Sequence, residues 1–139
     1  MGLKHEFVIV SKECKERIIT SEMESIVIAD EIIQYIFDNI KWIQINWNDE
    51  GMHSGISYYG FPLIQNNEIE KSQNIIERWI DLFKMAPTNF LLTDCFISDE
   101  DKYENIHFKR EDILIQLELL KNICIKARKE YKNILHNGI

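Results

Sequence analysis

The stretch Trp42-Ile-Gln-Ile-Asn-Trp-Asn-Asp-Glu-Gly-Met-His-Ser-Gly-Ile-Ser-Tyr-Tyr-Gly-Phe-Pro-Leu-Ile64 decides the fold class of this chain. Its first part alternates apolar and polar side chains, a pattern typical of a half-buried β-strand. The segment from Asn48 to Gly55 has the composition of a turn, and a second apolar segment runs from Ile56 to Ile64. The pattern predicts a β-hairpin. In its first arm the two faces carry Ile43, Ile45 and Trp47, and Gln44, Asn46 and Asn48.

Three segments with helical periodicity flank the hairpin. The first, Met23 to Ile40, follows a Ser-x-x-Glu capping box that begins at Ser21. Its opening part, Ser25 to Ala29, is β-branched enough to form a strand instead, and both structures stay open. The others run from Glu68 to Met85 and from Glu111 to Tyr131.

Each of these helices has a distinct pattern of polar and apolar positions. The first has one narrow polar stripe, and the other two each have an apolar face. These sets are, in order, Asp30, Gln34, Asp38 and Lys41; Ile69, Ile76, Trp79, Ile80 and Phe83; and Ile113, Leu117, Leu120, Cys124, Ala127 and Tyr131.

Two further strands complete the predicted elements, Glu6 to Val10 and Phe90 to Ile97. The resulting order, β-α-β-β-α-β-α, contains helices that cannot all be crossovers between parallel strands. We therefore predict an α+β fold: an antiparallel or mixed sheet that contains a central hairpin and is packed by about three amphipathic helices. Residues 1–139 are expected to form a single domain.

The charge balance narrows the classes of partner. The chain has 16 Lys and Arg against 23 Asp and Glu, a net charge of −7. Phosphate binding needs clustered cations, so we expect no direct binding of nucleic acid; a basic protein partner would suit the charge. The N-terminal residues lack the apolar region of a signal peptide, and no apolar run reaches a membrane-spanning length. The sequence predicts a soluble, cytoplasmic protein that does not bind membranes.

No catalytic, metal or cofactor pattern is found. His5, His53, His107 and His136 are scattered without zinc-ligand spacing, and no phosphate-binding loop is present. Cys95 lies within an apolar strand, where a thiol is ordinarily part of the core. The other cysteines form no CxxC pair, which favours reduced thiols. We expect no catalytic residues, no metal and no cofactor.

The hairpin tip is the first candidate surface for binding a partner. Asp49, Glu50 and His53 cluster there, and Tyr58 and Tyr59 point to opposite faces of the following strand, so one of the two is free to anchor an interface. We select Tyr59 as that anchor. A merely solvated turn and a tyrosine covered by a helix are the alternatives.

A second candidate patch is Asp99, Glu100 and Asp101, in the loop after Ile97. Residues 21–50 carry one lysine against seven acidic residues, and residues 81–108 carry two against six. If the two loops lie on one side of the sheet, they form a joint acidic surface. Acidity that serves solubility alone is the alternative.

Three features carry a resemblance: Asn46-Trp47-Asn48 leading into Gly55-Ile-Ser-Tyr-Tyr-Gly60, Trp79-Ile-Asp-Leu-Phe83 followed by Ala86-Pro87, and the closing Ile134-Leu-His-Asn-Gly-Ile139. In these features the chain resembles the small bacterial immunity proteins paired with contact-dependent-inhibition or polymorphic toxins. The resemblance implies a cytoplasmic protein that binds one toxin domain and blocks its active site or assembly. Many such toxins are basic nucleases, which an acidic partner would match. It transfers no functional residue.

The leading hypothesis is therefore a non-enzymatic immunity module that neutralises a cognate toxin by direct binding. Its partner-binding residues would be Asp49, Glu50, His53 and Tyr59, with Asp99, Glu100 and Asp101 as a second patch. A small enzyme or ligand-binding domain with a pocket near the 42–64 hairpin is the alternative. A homodimer formed through Trp42 or the last helix is the third possibility.

Overall fold

The computed structural model describes residues 4–12, 24–46, 52–55, 62–97 and 102–137, without the side chains of residues 37, 53, 92–97 and 102–106. The four helices among these residues are α1 (Asp30–Tyr35), α2 (Phe37–Ile40), α3 (Asn66–Phe83) and α4 (Arg110–Lys129). The strands are β1 (Lys4–Val10), β2 (Ser25–Ala29), β3 (Gln44–Asn46), β4 (Met52–Ser54), β5 (Leu63–Ile64), β6 (Asn89–Ile97), β7 (Lys102–Lys109) and β8 (Asn133–Asn137).

Six of the strands form one sheet in the order β2-β1-β8-β5-β3-β4, and every pairing in it is antiparallel. Strands β6 and β7 form a separate antiparallel hairpin. The predicted α+β class is thus confirmed. Among the described helices, none combines the length and apolarity needed to cross a membrane.

The C-terminal strand β8 lies in the interior of the six-stranded sheet. It pairs with β1 on one side, where Val8 faces Leu135, and with β5 on the other, where Leu63 faces Leu135. The sequence pattern did not predict β8, nor did it predict β7, the partner of β6. With five residues, β8 is too short for a clear periodicity, and two of its four buried residues, Asn133 and His136, are polar.

Residues 25–29 form a strand, which is one of the two structures that the sequence left open for them. Strand β2 pairs with β1, and its exposure alternates: Ile28 is fully buried while Val27 is 45% exposed. This alternation has the period of a strand, and the β-branched side chains suit it. The helix begins only at Asp30, so the Ser-x-x-Glu sequence before β2 does not start it.

The first arm of the predicted hairpin pairs with two strands, one predicted and one not. Strand β4, which pairs with β3 through Ile45 and His53, lies in the segment predicted to be the connection, whereas the end of the predicted second arm forms β5. Leu63 pairs with Asn46 on the other edge of β3. Two strands therefore flank β3. The part of the predicted second arm from Ile56 to Phe61 lies outside the described residues.

The main core lies between one face of the sheet and the two long helices. The predicted apolar face of α4 is confirmed from Ile113 to Ala127, since all five of those positions are buried. Tyr131 is the exception: it lies beyond the helix, is 74% exposed and has a φ of 55°. The Lys132 N–H donates to Ala127 O and the Tyr131 N–H to Arg128 O, the pattern of a Schellman motif. This turn leads the chain into β8.

Two asparagines join the start of α3 to the end of α4. The Asn66 backbone N–H donates to Asn133 Oδ1 at 2.9 Å, so a side chain from β8 takes the place of a local helix cap. The Asn66 amide in turn donates to Lys132 O at 2.8 Å and to Ala127 O at 3.3 Å. These bonds fix α3, which forms one wall of the groove described below.

Replacing Asn133 with alanine should lower the free energy of unfolding by about 1–2 kcal/mol, because the first turn of α3 loses its acceptor in a half-buried position. Urea unfolding followed by circular dichroism measures this. Asn122→Ala is the matched control, since Asn122 is exposed on α4, and it should change stability by less than about 0.5 kcal/mol. Equal effects of the two changes would contradict the capping role of Asn133.

Candidate functional site

An open groove of about 360 Å³ runs between α3 and the turn that follows α2. Asn39 of α2 and Trp42 of the turn form one side of the groove. The α3 residues are spaced three or four positions apart, so they share one side of the helix. They are Lys71, Asn74, Ile75, Arg78, Trp79 and Leu82. The groove is within the size range of ligand and peptide sites.

Aromatic rings give the groove a supported apolar floor. Trp79 packs edge-on against Tyr35, with ring centroids 5.6 Å apart, and against the buried Phe83 at 5.5 Å. These contacts hold one face of the indole while leaving Trp79 half-buried, whereas the sequence pattern had placed it in the core. Trp42 is 60% exposed and Leu82 54% exposed. Large apolar side chains gathered in one groove are typical of binding surfaces.

Hydrogen-bond donors surround this apolar floor. Lys71 and Arg78 lie one above the other on α3, and Asn39 and Asn74 add amide groups. Arg78 forms an exposed ion pair with Asp81 at 3.0 Å, a kind of pair that contributes little to stability. The guanidinium can therefore exchange this contact for another acceptor. The groove is suited to a segment with a bulky apolar side chain flanked by carbonyl or carboxylate oxygens.

The chemical groups of the lining are suited to binding. Its described residues combine the amine of Lys71 and the guanidinium of Arg78 with amides and large apolar side chains, and they include no histidine, cysteine, serine, threonine or carboxylate. Tryptophan and arginine, which it does contain, are the residues that most often dominate the energetics of protein interfaces.

The base of the β3–β4 hairpin lies beside the groove. The Gly55 N–H donates to Ile43 O at 2.8 Å, and Gly55 has a φ of 84°. A Cβ there would approach the Lys41 backbone to 3.1 Å, so both the conformation and the close approach favour glycine. Since Trp42 lies between those two contacts, the hairpin starts at the groove. Asn46, where the hairpin loop begins, is at most about 14 Å from Trp42.

No protein-family model, curated protein or solved structure matches this chain. The site is therefore interpreted from its own residues.

Most of the site residues predicted from sequence lie outside the described part of the chain. These are Asp49, Glu50, Tyr59, Asp99, Glu100 and Asp101. His53 is described in its backbone only; it lies in β4 opposite Ile45, not in the turn where the pattern had placed it. The loops that hold the two acidic sets belong to different sheets. A joint acidic surface stays a prediction.

Sequence reasoning missed the groove because its two halves are separated by about thirty residues. Trp42 was recognised only as a member of the hairpin stretch, and Trp79 as core. The signal that could have found the groove is the row Lys71, Asn74, Arg78 on α3, which continues to an apolar residue, Leu82, on the polar side of the helix.

A second cluster, buried rather than exposed, brings together two of the scattered histidines. His5 Nδ1 lies 2.7 Å from His136 Nε2, and His5 Nε2 lies 2.7 Å from Asp30 Oδ1. Gln34 Nε2 donates to the other Asp30 oxygen at 2.6 Å. Both histidines are fully buried and Asp30 is 6% exposed. Asp30 is therefore not part of a polar stripe, as the helical pattern had suggested.

The burial of these three side chains disfavours the charged form of His136. Desolvation, with a smaller effect from His5, lowers the pKa of His136 from 6.5 to about 3. The ring nitrogens point at one another and at Asp30, so the direct contacts leave no space for a metal ion between them. His136 Nδ1 has no hydrogen-bond partner in the described part of the chain.

Replacing Trp42 with alanine should change the free energy of unfolding by less than about 1 kcal/mol, because the exposed indole contributes little to the core. Replacing Ile76 with alanine should cost about 2–5 kcal/mol, because Ile76 is buried on the core face of the same groove-forming helix. Urea unfolding of both variants separates the groove from the scaffold. A loss above about 2 kcal/mol for Trp42→Ala would make Trp42 a structural residue.

Proposed function

We propose that this chain is a non-enzymatic immunity module of the cytoplasm that neutralises a cognate toxin domain by direct binding, with the Trp42–Trp79 groove as the anchor of the interface. The observation that carries the binding role is an exposed aromatic groove bordered by cations and amides. The toxin as partner rests on the resemblance of the sequence to small bacterial immunity proteins.

The geometry of the groove supports tight binding to a protein segment. Trp79 is held by its ring contacts with Tyr35 and Phe83, so little side-chain freedom remains to be lost when a partner covers it. Trp42 forms the opposite wall, and Arg78 adds a planar group that donates several hydrogen bonds. Together they resemble the central clusters from which most of the affinity of an interface arises.

The acidic character of the chain supports a basic toxin, such as a nuclease. A net charge of −7 attracts a basic domain from a distance and accelerates the encounter. Asp49 and Glu50 lie in the sequence between β3, which begins two residues after Trp42, and β4, whose last residue pairs with the first residue of β3. Long-range attraction and apolar anchoring would then act on neighbouring parts of one surface.

Trp42→Ala should weaken the complex with the proposed cognate toxin domain by about thirtyfold or more, equivalent to about 2 kcal/mol for a central aromatic anchor. Calorimetry or surface plasmon resonance measures the dissociation constant. Ile115→Ala is the matched control: Ile115 is similarly exposed, at 59%, but lies on α4 and does not line the groove. Unchanged affinity for Trp42→Ala would exclude the groove as the anchor.

Charge reversal at Asp49 and Glu50 to lysine should slow association and remove its dependence on salt, because these side chains are proposed to attract the basic partner. Stopped-flow measurements at low and high ionic strength test this, and the dissociation rate should change less than the association rate. An association rate equal to that of the unmodified chain at both salt concentrations would remove these residues from the interface.

The same two variants test whether the chain forms a homodimer. Ile115 and Leu119 are exposed one turn apart on α4 and form a short apolar stripe. Sedimentation of the chain alone reports on self-association through this stripe. A dimer that dissociates with Ile115→Ala but not with Trp42→Ala would place self-association on α4 and leave the groove available to the toxin.

A further inference from the structure

The buried Asp30–His5–His136 chain of side chains connects three elements that are distant in sequence. His5 belongs to β1 near the N-terminus, His136 to β8 near the C-terminus, and Asp30 opens α1. His5 and His136 are 131 positions apart, yet their ring nitrogens lie 2.7 Å from each other. The three side chains therefore join the two ends of the chain to one another and to the helix layer.

The two imidazole rings meet edge to edge. Their planes differ by 18° and their centroids are 5.0 Å apart, which with a nitrogen–nitrogen distance of 2.7 Å places the shared hydrogen in line between the rings. Both Asp30 oxygens act as acceptors, one from Gln34 and one from His5. The His5 Nε2 position consequently carries a hydrogen.

This arrangement limits how many protons the pair of histidines can hold. A contact of 2.7 Å between two nitrogens accommodates one hydrogen, because two N–H groups facing each other would collide. With one hydrogen shared, at most one of the two rings can be an imidazolium. Two positive rings, the state that both histidines reach in an unfolded chain at acidic pH, require the contact to break.

We propose that the Asp30–His5–His136 chain is a proton-operated latch, which holds β1, β8 and α1 together while the two imidazoles carry at most one positive charge and opens when a second proton binds. The latch lies in the same strand as Asn133, which caps α3. Opening of β8 therefore removes the support of the helix that forms the groove. This property is independent of the partner and of the toxin.

The two strands β2 and β5, which lie on either side of β1 and β8, contribute no titratable side chain to the described surroundings of the latch. In β2 the residue opposite His5 is Ile28. Glu6 of β1 alternates to the other face and accepts a hydrogen bond from Asn137. On the buried face of α4 the titratable group is Cys124, whose pKa burial raises to about 12, so it stays neutral.

The helix that begins at Asp30 adds one more carboxylate, Glu31, which is half-buried and next to Asp30 in the chain. β6 also contacts α1, and its side chains from residue 92 to residue 97 lie outside the described part. Asp30 is the carboxylate in contact with the histidine pair, and its two oxygens are occupied by His5 and Gln34.

The sign of the pH effect follows from the proton count. The folded chain binds at least one proton fewer than the unfolded chain below the ordinary histidine pKa of 6.5, so stability is complete above that pH and falls below it. Burial acts in the same direction, because it lowers the pKa of His136 to about 3 and so disfavours its charged form in the folded chain between about pH 6.5 and about pH 3. In this range a difference of one proton raises the unfolding equilibrium constant about tenfold for each unit by which the pH falls.

The test compares urea unfolding of the full chain, His136→Gln and His107→Gln between about pH 6.5 and about pH 4.5. Glutamine at position 136 keeps a hydrogen-bonding side chain but cannot gain a charge, so across this range the unfolding constant of the full chain should rise up to about a hundredfold more than that of His136→Gln. His107 is exposed on β7, and His107→Gln should follow the unmodified chain. Equal pH dependence of the full chain and His136→Gln would overturn the proposal.

A second measurement needs no variant and decides the question if His136→Gln does not fold. Nitrogen-15 spectra of the imidazole rings in the unmodified chain report the protonation of each ring nitrogen. At about pH 5 the folded protein should show at most one charged ring in the His5–His136 pair. Two charged rings in the folded state would contradict the latch.

Discussion

The antiparallel pairing of β8 with β1 and β5 is the constraint on which the rest of the structure depends. Without β8 the sheet divides into the pair β2-β1 and the group β5-β3-β4, which have no other hydrogen-bonded connection among the described strands. Asn133 of the same strand caps α3, and His136 forms the buried contact with His5. One five-residue strand thus supports the sheet, the groove-forming helix and the junction of the chain ends.

The long helices were predictable because one face of each is buried in the core and the other is exposed to solvent. The apolar face of α4 and that of α3 follow the helical repeat, and the positions from Ile113 to Ala127 are buried as the pattern indicates. The strand nature of Ser25–Ala29 remained open in the sequence, since β-branched residues fit both a buried helix and a strand. Pairing with β1 decides it.

The burial of some polar side chains could not be predicted, because their hydrogen-bond partners are distant in the sequence. Asn133, His136 and Asp30 are buried, and each has a partner contributed by another element. The pattern of apolar residues along the sequence contains no information about these distant partners. For this reason β8 was not predicted, and Asp30 was predicted to be exposed to solvent. The same limit applies to the groove, where Trp42 and Trp79 come from different elements and acquire meaning only as neighbours. The acidic hairpin residues remain a prediction from charge alone.

The groove contains one tryptophan that packs against the core and one that is largely exposed, so substitution of the exposed one should affect binding more than stability. Trp79 is held by its ring contact with the buried Phe83, and Trp42, which is 60% exposed, lines the same groove. The most direct measurement of the proposed role is hydrogen–deuterium exchange of the chain with and without the proposed cognate toxin domain. We expect slower exchange on complex formation in residues 39–43 and 71–82, the two walls of the groove. Slower exchange confined to α4 or to the β6–β7 hairpin, with the groove unchanged, would contradict it.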